Sequence, residues 1–273
     1  MQPMTTLWTE VADGVFARRY RFFDQNIVAI ADRGEAVVVD TRSTYRQARE
    51  ILDDLRELGA PRIAAVINTH GHFDHAFGNR IFRPAPIWGH ERAVAMLTPE
   101  GRQREFMAEE LPKLAAELDE IELDPPDRVF AERAVVEVGR RRLHLAFLGR
   151  GHTDNDIIVA TEDGSAILVG DLLENAACPY FGDGYPMEWP ATAEAILAMA
   201  GDGTVIVPGH GDPAGRTFWA RQAGQIAENA ALARRIHAGE LDLEAAIAVS
   251  PFPPDAAREP LERAVAQLRG ELD

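Results

Sequence analysis

Thr69-His70-Gly71-His72-Phe73-Asp74-His75 sets three imidazoles and a carboxylate within six positions, directly after the apolar run Ile63-Ala64-Ala65-Val66-Ile67, which reads as a buried strand. Packing a core needs no such density of ligands. On an extended or sharply turning segment His70 and His72 point the same way and can grip one ion, while Asp74 and His75 lie beyond the turn and face another. Imidazole and carboxylate without thiolate suit zinc, iron or manganese. The plainer alternative, a His-rich surface turn, predicts no further isolated ligands downstream.

Such ligands recur. Leu145-Ala146-Phe147-Leu148 runs into Gly149-Arg150-Gly151-His152, Ala166-Ile167-Leu168-Val169 into Gly170-Asp171, and Val205-Ile206-Val207-Pro208 into Gly209-His210. Each time a strand supplies an apolar face, a glycine lets the chain turn, and a His or Asp stands in or just beyond that turn. Ligands at strand ends converge on one edge of a sheet, where open α/β sheets place their sites.

With these residues in view, the chain resembles the metallo-β-lactamase superfamily, whose signature is HxHxDH followed by a separate His, a separate Asp and a final His. The match runs over about residues 12 to 215. Carried over by position, it implies that His70, His72 and His152 hold one metal, that Asp74, His75 and His210 hold a second, and that Asp171 bridges the two. Two zinc ions per chain are expected, with iron as the alternative. Asp40, at the end of Ala36-Val37-Val38-Val39, resembles the family's first motif, a carboxylate that braces the ligand loops; read locally, it could instead cap the helix that follows. The implied fold is α/β, a four-layer αβ/βα sandwich forming one domain over residues 1–273, with a helical C-terminal extension over about 216–273.

Composition is consistent with that fold. A chain of 273 residues can bury a full core, and 46% hydrophobic residues is ordinary for a globular protein. The single cysteine, Cys178, excludes an intrachain disulfide framework or thiolate cluster and reads as a small apolar filler. A net charge of -16 opposes approach to phosphate backbones, and Arg140-Arg141-Arg142 and Arg234-Arg235 are short basic runs without interleaved aromatics, so nucleic acid is not expected as a partner. No membrane association is expected either: the start of the chain lacks a basic segment leading into an apolar stretch, and no run of eighteen apolar residues occurs. These features read as a soluble cytoplasmic protein acting on a small-molecule substrate.

Along the chain, residues 14 to 40 read as short strands separated by turns, and Ala48, Ile51, Leu52, Leu55 and Leu58 mark an amphipathic helix that ends at Gly59. Residues 91–97 and 102–118 read as helices, with Met107, Leu111, Leu114 and Leu118 as a packing stripe. Strands are expected at Ile157–Ala160 and Ala166–Val169, and helices over residues 216–237, 240–248 and 256–271. This helical tail could pack on the sandwich, dimerise with a second copy, or lean over the site.

The ligand set implies hydrolysis. Two divalent ions about 3.5–4 Å apart can hold a bridging hydroxide at neutral pH, one ion polarising the carbonyl and the other receiving charge on the leaving group. Asp74 would orient the nucleophile. The expected substrate is a small ester, thioester, lactone or lactam. Asn175, Tyr180 and Tyr185, on the segment after Asp171, are candidate substrate contacts: Asn175 could donate to an oxyanion or make a local turn bond, and the tyrosines and Phe181 could line a pocket or anchor the loop. Zinc β-lactamases commonly carry a lysine just after this motif, where this chain has Glu174 and Asn175. Glyoxalase-type thioesterases recognise glutathione through basic and tyrosine side chains near the C-terminal helices, a tail that here has no lysine and much acid. The alternative of another class is an iron-dependent oxidoreductase of the same fold, similar to the sulfur dioxygenases.

Overall fold

The computed structural model describes residues 7–59, 61–175 and 177–272. Strands β1 (Thr9–Ala12), β2 (Val15–Tyr20), β3 (Gln25–Asp32), β4 (Glu35–Val39), β5 (Arg62–Ile67), β6 (Ile87–His90) and β7 (Arg128–Phe130) come from the first half, and β8 (Arg133–Val138), β9 (Arg141–Phe147), β10 (Ile157–Thr161), β11 (Ala166–Glu174) and β12 (Val205–His210) from the second. Their order is β7-β6-β5-β4-β3-β12-β11-β10-β9-β8, with β2 also on β3 and β1 on β2. Between β3 and β12 the ladder is one residue pair, Gln25 with His210. The strands therefore form two sheets that meet at a seam.

Side-chain alternation explains the layers. Val28 and Ile30 of β3, Val37 and Val39 of β4, and Ala65 and Ile67 of β5 face Leu143 and Leu145 of β9, Ile157 and Val159 of β10, and Leu168 of β11 in one core between the sheets. The intervening residues face outward and are apolar too, since each sheet is covered on its far side. Ile27, Ala29, Val38 and Val66 meet Ala48, Ile51 and Leu55, of which Ala48 and Ile51 lie on helix α1 (Tyr45–Asp54). Ile158, Ile167, Val169 and Ile206 meet Trp189, Ala193 and Ile196 of one helix and Trp219, Ala223 and Ile226 of another. This is the expected four-layer αβ/βα sandwich.

Further helices are α2 (Phe73–Ala76), α3 (Ala93–Met96), α4 (Gln103–Glu110), α5 (Ala115–Asp119), α6 (Trp189–Met199), α7 (Arg216–His237), α8 (Leu243–Ala248) and α9 (Pro254–Leu268). The single helix expected over residues 102–118 is two, because Pro112 has no amide hydrogen and its ring clashes with a preceding carbonyl; α4 stops at Glu110 and α5 restarts at Ala115. The stripe still packs, with Met107, Leu111, Leu114 and Leu118 around Phe73 and Phe77. Helix α6 was not expected; Pro190 in its first turn was the available signal. Strand β11 runs on past Val169 to Glu174, with a register shift at Gly170. Gly170 has φ 53, and a Cβ there would stand 2.8 Å from the Thr69 side chain, so this bulge needs glycine. The tail packs on the sandwich: α7 covers the second sheet, and α8 and α9 pack against α7.

Candidate metal centre

The seven ligands named from the sequence fall into two clusters at the seam. His70, His72, His152 and Asp171 form one, and Asp74, His75 and His210 the other, with the donor atoms of each within 4.8 Å of one another. Each cluster draws on both sheets. His70 and His72 follow β5, Asp74 and His75 lie in α2, His152 follows β9, Asp171 sits in β11 and His210 ends β12.

A buried polar frame aims these groups. Asp40 accepts from the Thr69 amide at 2.8 Å, the Thr69 hydroxyl at 2.9 Å and His75 Nδ1 at 2.8 Å. It therefore spans the ligand loop, while helix α1 is capped by Thr44, whose hydroxyl accepts from the Gln47 amide. The helix-cap reading of Asp40 is thereby replaced. Asn68 and Asn79 pair and hold the His75 carbonyl, Asn155 accepts from the Gly71 amide, and Gln25 donates to the Asp74 carbonyl.

Every ligand imidazole has its outer nitrogen occupied. His70 Nδ1 meets Thr69 Oγ1 at 3.1 Å, His72 Nε2 meets Asp183 Oδ2 at 2.8 Å, His152 Nδ1 meets the Tyr180 carbonyl at 3.0 Å and His210 Nδ1 meets the Phe23 carbonyl at 2.7 Å, alongside His75 on Asp40. The Thr69 hydroxyl already donates to Asp40, so it accepts from His70. With the outer nitrogens donating, the inner ones point their lone pairs into the clusters. There His72 Nδ1 lies 3.0 Å from His70 Nε2 and 2.9 Å from His152 Nε2, and His75 Nε2 lies 3.3 Å from His210 Nε2. Lone pairs this close repel unless a cation or a proton stands between them. Ligands at about 2.0–2.1 Å around a tetrahedral ion are separated by distances of this size.

Protonation follows the same logic. Burial and the neighbouring His72 push His152 down to about 4, and burial pushes His70 well below its usual value. Burial also opposes charge on His210, but Asp171 and Asp74 outweigh it and raise His210 to about 12; His75 is raised well above 6.5 by Asp171, Asp74 and Asp40. His72 is raised, against its burial, by Asp183. Protons thus gather where neighbouring carboxylates outweigh burial.

Asp171 stands between the clusters, its oxygens 3.5 Å from His152 Nε2, 3.4 Å from His75 Nε2 and 3.2 Å from His210 Nε2. Its Oδ1 is buried without a hydrogen-bond partner, an orphan that a cation would satisfy. A Cβ at Gly209 would lie 1.8 Å from that oxygen, so glycine before His210 makes room for the carboxylate. The donor set fits two divalent cations.

A cavity of about 1060 Å³ opens over His72, Asp74, His152, Asp171 and His210. Tyr180 lines it. Asn175 instead spends its side-chain amide on the Asp212 carbonyl, at 2.8 Å. Tyr185 lies under the Arg150 guanidinium in a separate cleft with Arg92 and Glu188, and Phe181 is buried against Trp189 and Phe252. Cys178 packs against the same apolar cluster. Sequence reasoning missed Asp183, which sits on an irregular segment flanked by Gly182 and Gly184, and Glu174, a buried carboxyl raised by burial and then Asp171 to about 8.

Comparison with known proteins agrees with the fold. The sequence model of the metallo-beta-lactamase superfamily matches residues 20–210. A metallo-beta-lactamase type 2 from Bacillus cereus is 25% identical over 179 residues, 64% of this chain and 62% of the relative, so the alignment spans less than two thirds of that protein. Metallo-beta-lactamase IND-1 from Chryseobacterium indologenes is 23% identical over 200 residues, 72% of this chain and 75% of the relative. Among solved structures, a metallo-beta-lactamase from Pontibacter korlensis superposes with a TM-score of 0.64 at 16% identity, covering 81% of this chain and 98% of its own. A variant of the sec-alkyl sulfatase PisA1 superposes with a TM-score of 0.75 at 18% identity, covering 96% of this chain and 50% of its own. These structural likenesses speak for the fold. The chain belongs to the metallo-β-lactamase superfamily.

Proposed function

We propose that the protein is a dinuclear zinc hydrolase that attacks the carbonyl of a small ester, thioester, lactone or lactam. The observation that carries this reading is the complete outer frame of five imidazoles, each turned so that its inner nitrogen meets another ligand around Asp171. When bound, a pair of divalent cations supplies a hydroxide nucleophile at neutral pH and Lewis acidity at the carbonyl oxygen.

The chain does the rest. His70, His72 and His152 would hold one ion, Asp74, His75 and His210 the other, and Asp171 would reach both. Asp74 Oδ2 lies 3.5 Å from His75 Nε2 and 3.4 Å from His210 Nε2 on the cavity wall, where it can orient the nucleophile and hold its proton. Hydrolysis adds the oxygen of water to the carbonyl carbon, breaks the bond from that carbon to the leaving oxygen, sulfur or nitrogen, and delivers a proton to the leaving atom.

Elemental analysis of protein purified without added metal, followed by a panel of esters, thioesters, lactones, lactams and an alkyl sulfate, tests the proposal. About two zinc ions per chain and carbonyl hydrolysis abolished by Asp74→Ala are expected. Near one iron per chain with oxygen uptake on a persulfide would replace the hydrolase with an oxygenase, and turnover of the alkyl sulfate alone would replace the carbonyl.

A further inference from the structure

The cavity above the metal cluster carries information about substrate that the ligands do not. Its wall includes Phe23, Phe73, Met96, Phe106, Met107 and Leu111, several of them supplied by the α3–α4 segment that roofs it. Among the described residues, the large hydrophobic side chains left exposed include three aromatic ones, Phe23, Phe106 and Tyr180, and all three line this cavity. Aromatic surface gathered around one mouth is unfavourable in water and marks a place that receives apolar groups. At about 1060 Å³ the cavity lies just above the range of roughly 300–1,000 Å³ usual for small-molecule sites, far more than an acetyl group fills.

Charge points the same way. Outside the metal ligands, the lining carries the carboxyls of Glu110, Glu174 and Asp183 against one guanidinium, Arg102. Arg102 and Glu110 are both exposed, at opposite ends of α4, whereas Glu174 is buried. A carboxylate at the far end of the substrate's apolar group, held away from the metal ligands, would leave water without meeting a buried arginine or lysine, and burial of an unpaired charge is strongly unfavourable.

From the apolar mouth and the lack of a buried arginine or lysine along it, we infer that the substrate is an ester or thioester bearing an elongated apolar group with no charge at its far end. Phe106 and Tyr180 set specificity for that group. This rests on the hydrolase reading and names its substrate class.

The test uses zinc-loaded protein and p-nitrophenyl esters of rising acyl length, with one long ester ending in a carboxylate. The expected kcat/KM rises about three- to fourfold per added methylene, following the free energy of burying a methylene, until the cavity is filled. The terminal carboxylate lowers it at least about tenfold. Phe106→Ala, on an exposed helix position, flattens the chain-length series, lowering kcat/KM for the long esters far more than for the acetate ester. Ala177→Lys, on the exposed part of the cavity wall, recovers turnover of the charged ester. Calorimetric binding of a long methyl ketone and its carboxylate-ended counterpart separates the two claims. Preference for the neutral ketone without any ester turnover removes the hydrolase and keeps the substrate class. Hydrolysis or binding indifferent to chain length, or equal for charged and neutral compounds, overturns the inference.

Discussion

Asp183 offers a sharp test of how the metal centre is held. Its carboxylate meets His72 Nε2 at 2.8 Å, so the other nitrogen of that ring faces His70 and His152. Against the cost of burial, His72 draws the Asp183 carboxyl from 3.8 down to about 2. That corresponds to roughly 2 kcal/mol in favour of the charged pair. The Asp183 side chain is 46% exposed, however, and solvent screening reduces the figure to about 1 kcal/mol. Asp183→Asn keeps an acceptor of the same shape and loses only the charge, so affinity at the three-histidine site should fall about five- to tenfold. Asp183→Ala also frees the ring to rotate and should approach a hundredfold, the upper end for partners behind a ligand histidine.

Competition against a chromophoric zinc chelator would resolve the two binding steps. One step should weaken in the order wild type, Asn, Ala, and the step belonging to Asp74, His75 and His210 should hold. The tail enters the same experiment. Arg263 donates to the Gly184 carbonyl, and Gln267 accepts from the Met187 amide and donates to Glu188, so α9 fixes the segment that carries Asp183. Replacing Arg263 and Gln267 together by alanine should weaken the same step to a smaller degree. Equal weakening of both steps, or no change in Asp183→Ala, would refute the reasoning.

Further expectations follow from the same geometry. Asp40→Ala strands the Thr69 amide, the Thr69 hydroxyl and His75 Nδ1 in a buried setting, which should cost roughly 3–5 kcal/mol in chemical denaturation; a loss under 1 kcal/mol would mean that water replaces the carboxylate. In metal-free protein His75 and His210 are raised above 6.5, so their pairing with Asp171 and Asp74 contributes fully below pH 6.5 and is lost as pH rises toward about 12 for His210, while Asp171, held well below 3.8, contributes above that value and is lost as pH falls. Chelated protein should therefore melt lower at pH 9 than at pH 6.5, and zinc loading at pH 7 should release at least two protons, read from calorimetry in buffers of different ionisation enthalpy. Gly209→Ala forces a methyl against Asp171 Oδ1 and should abolish tight binding at both sites with far-ultraviolet circular dichroism unchanged.

What could be read from the sequence was what chemistry constrains to particular residue types. His70, His72, Asp74, His75, His152, Asp171 and His210 stood out because each follows an apolar strand at a turn, and strands with two buried faces announced a covered sheet. The outer frame was hidden for an equally physical reason. Tyr180 and Phe23 contribute backbone carbonyls, which any residue possesses, and Asp183 lies in irregular chain with no period to fix its direction. The same lack of period left Tyr180, Phe181 and Tyr185 indistinguishable, though they point to the cavity, the core and a separate cleft. At residues 102–118 the periodic stripe was real but Pro112 decided the backbone.

The placement of the clusters has a consequence for folding. The two sheets share one residue pair, Gln25 with His210, and otherwise meet through apolar packing and the polar frame at the seam. Each cluster takes ligands from both sides: His70 and His72 with His152 and Asp171, and Asp74 and His75 with His210. A bound ion is therefore a cross-link between the halves as well as a reagent. Binding to the native state alone stabilises by about 4 kcal/mol at a free concentration a thousandfold above Kd, and the gain should be concentrated where the cross-link acts. Hydrogen exchange of chelated and zinc-loaded protein should differ most at the ends of β5, β11 and β12 and in α2, and least in α8, which packs on α7 and α9. Uniform protection across the chain would show instead that the halves are already locked by their common core, with the metals adding chemistry and little structure.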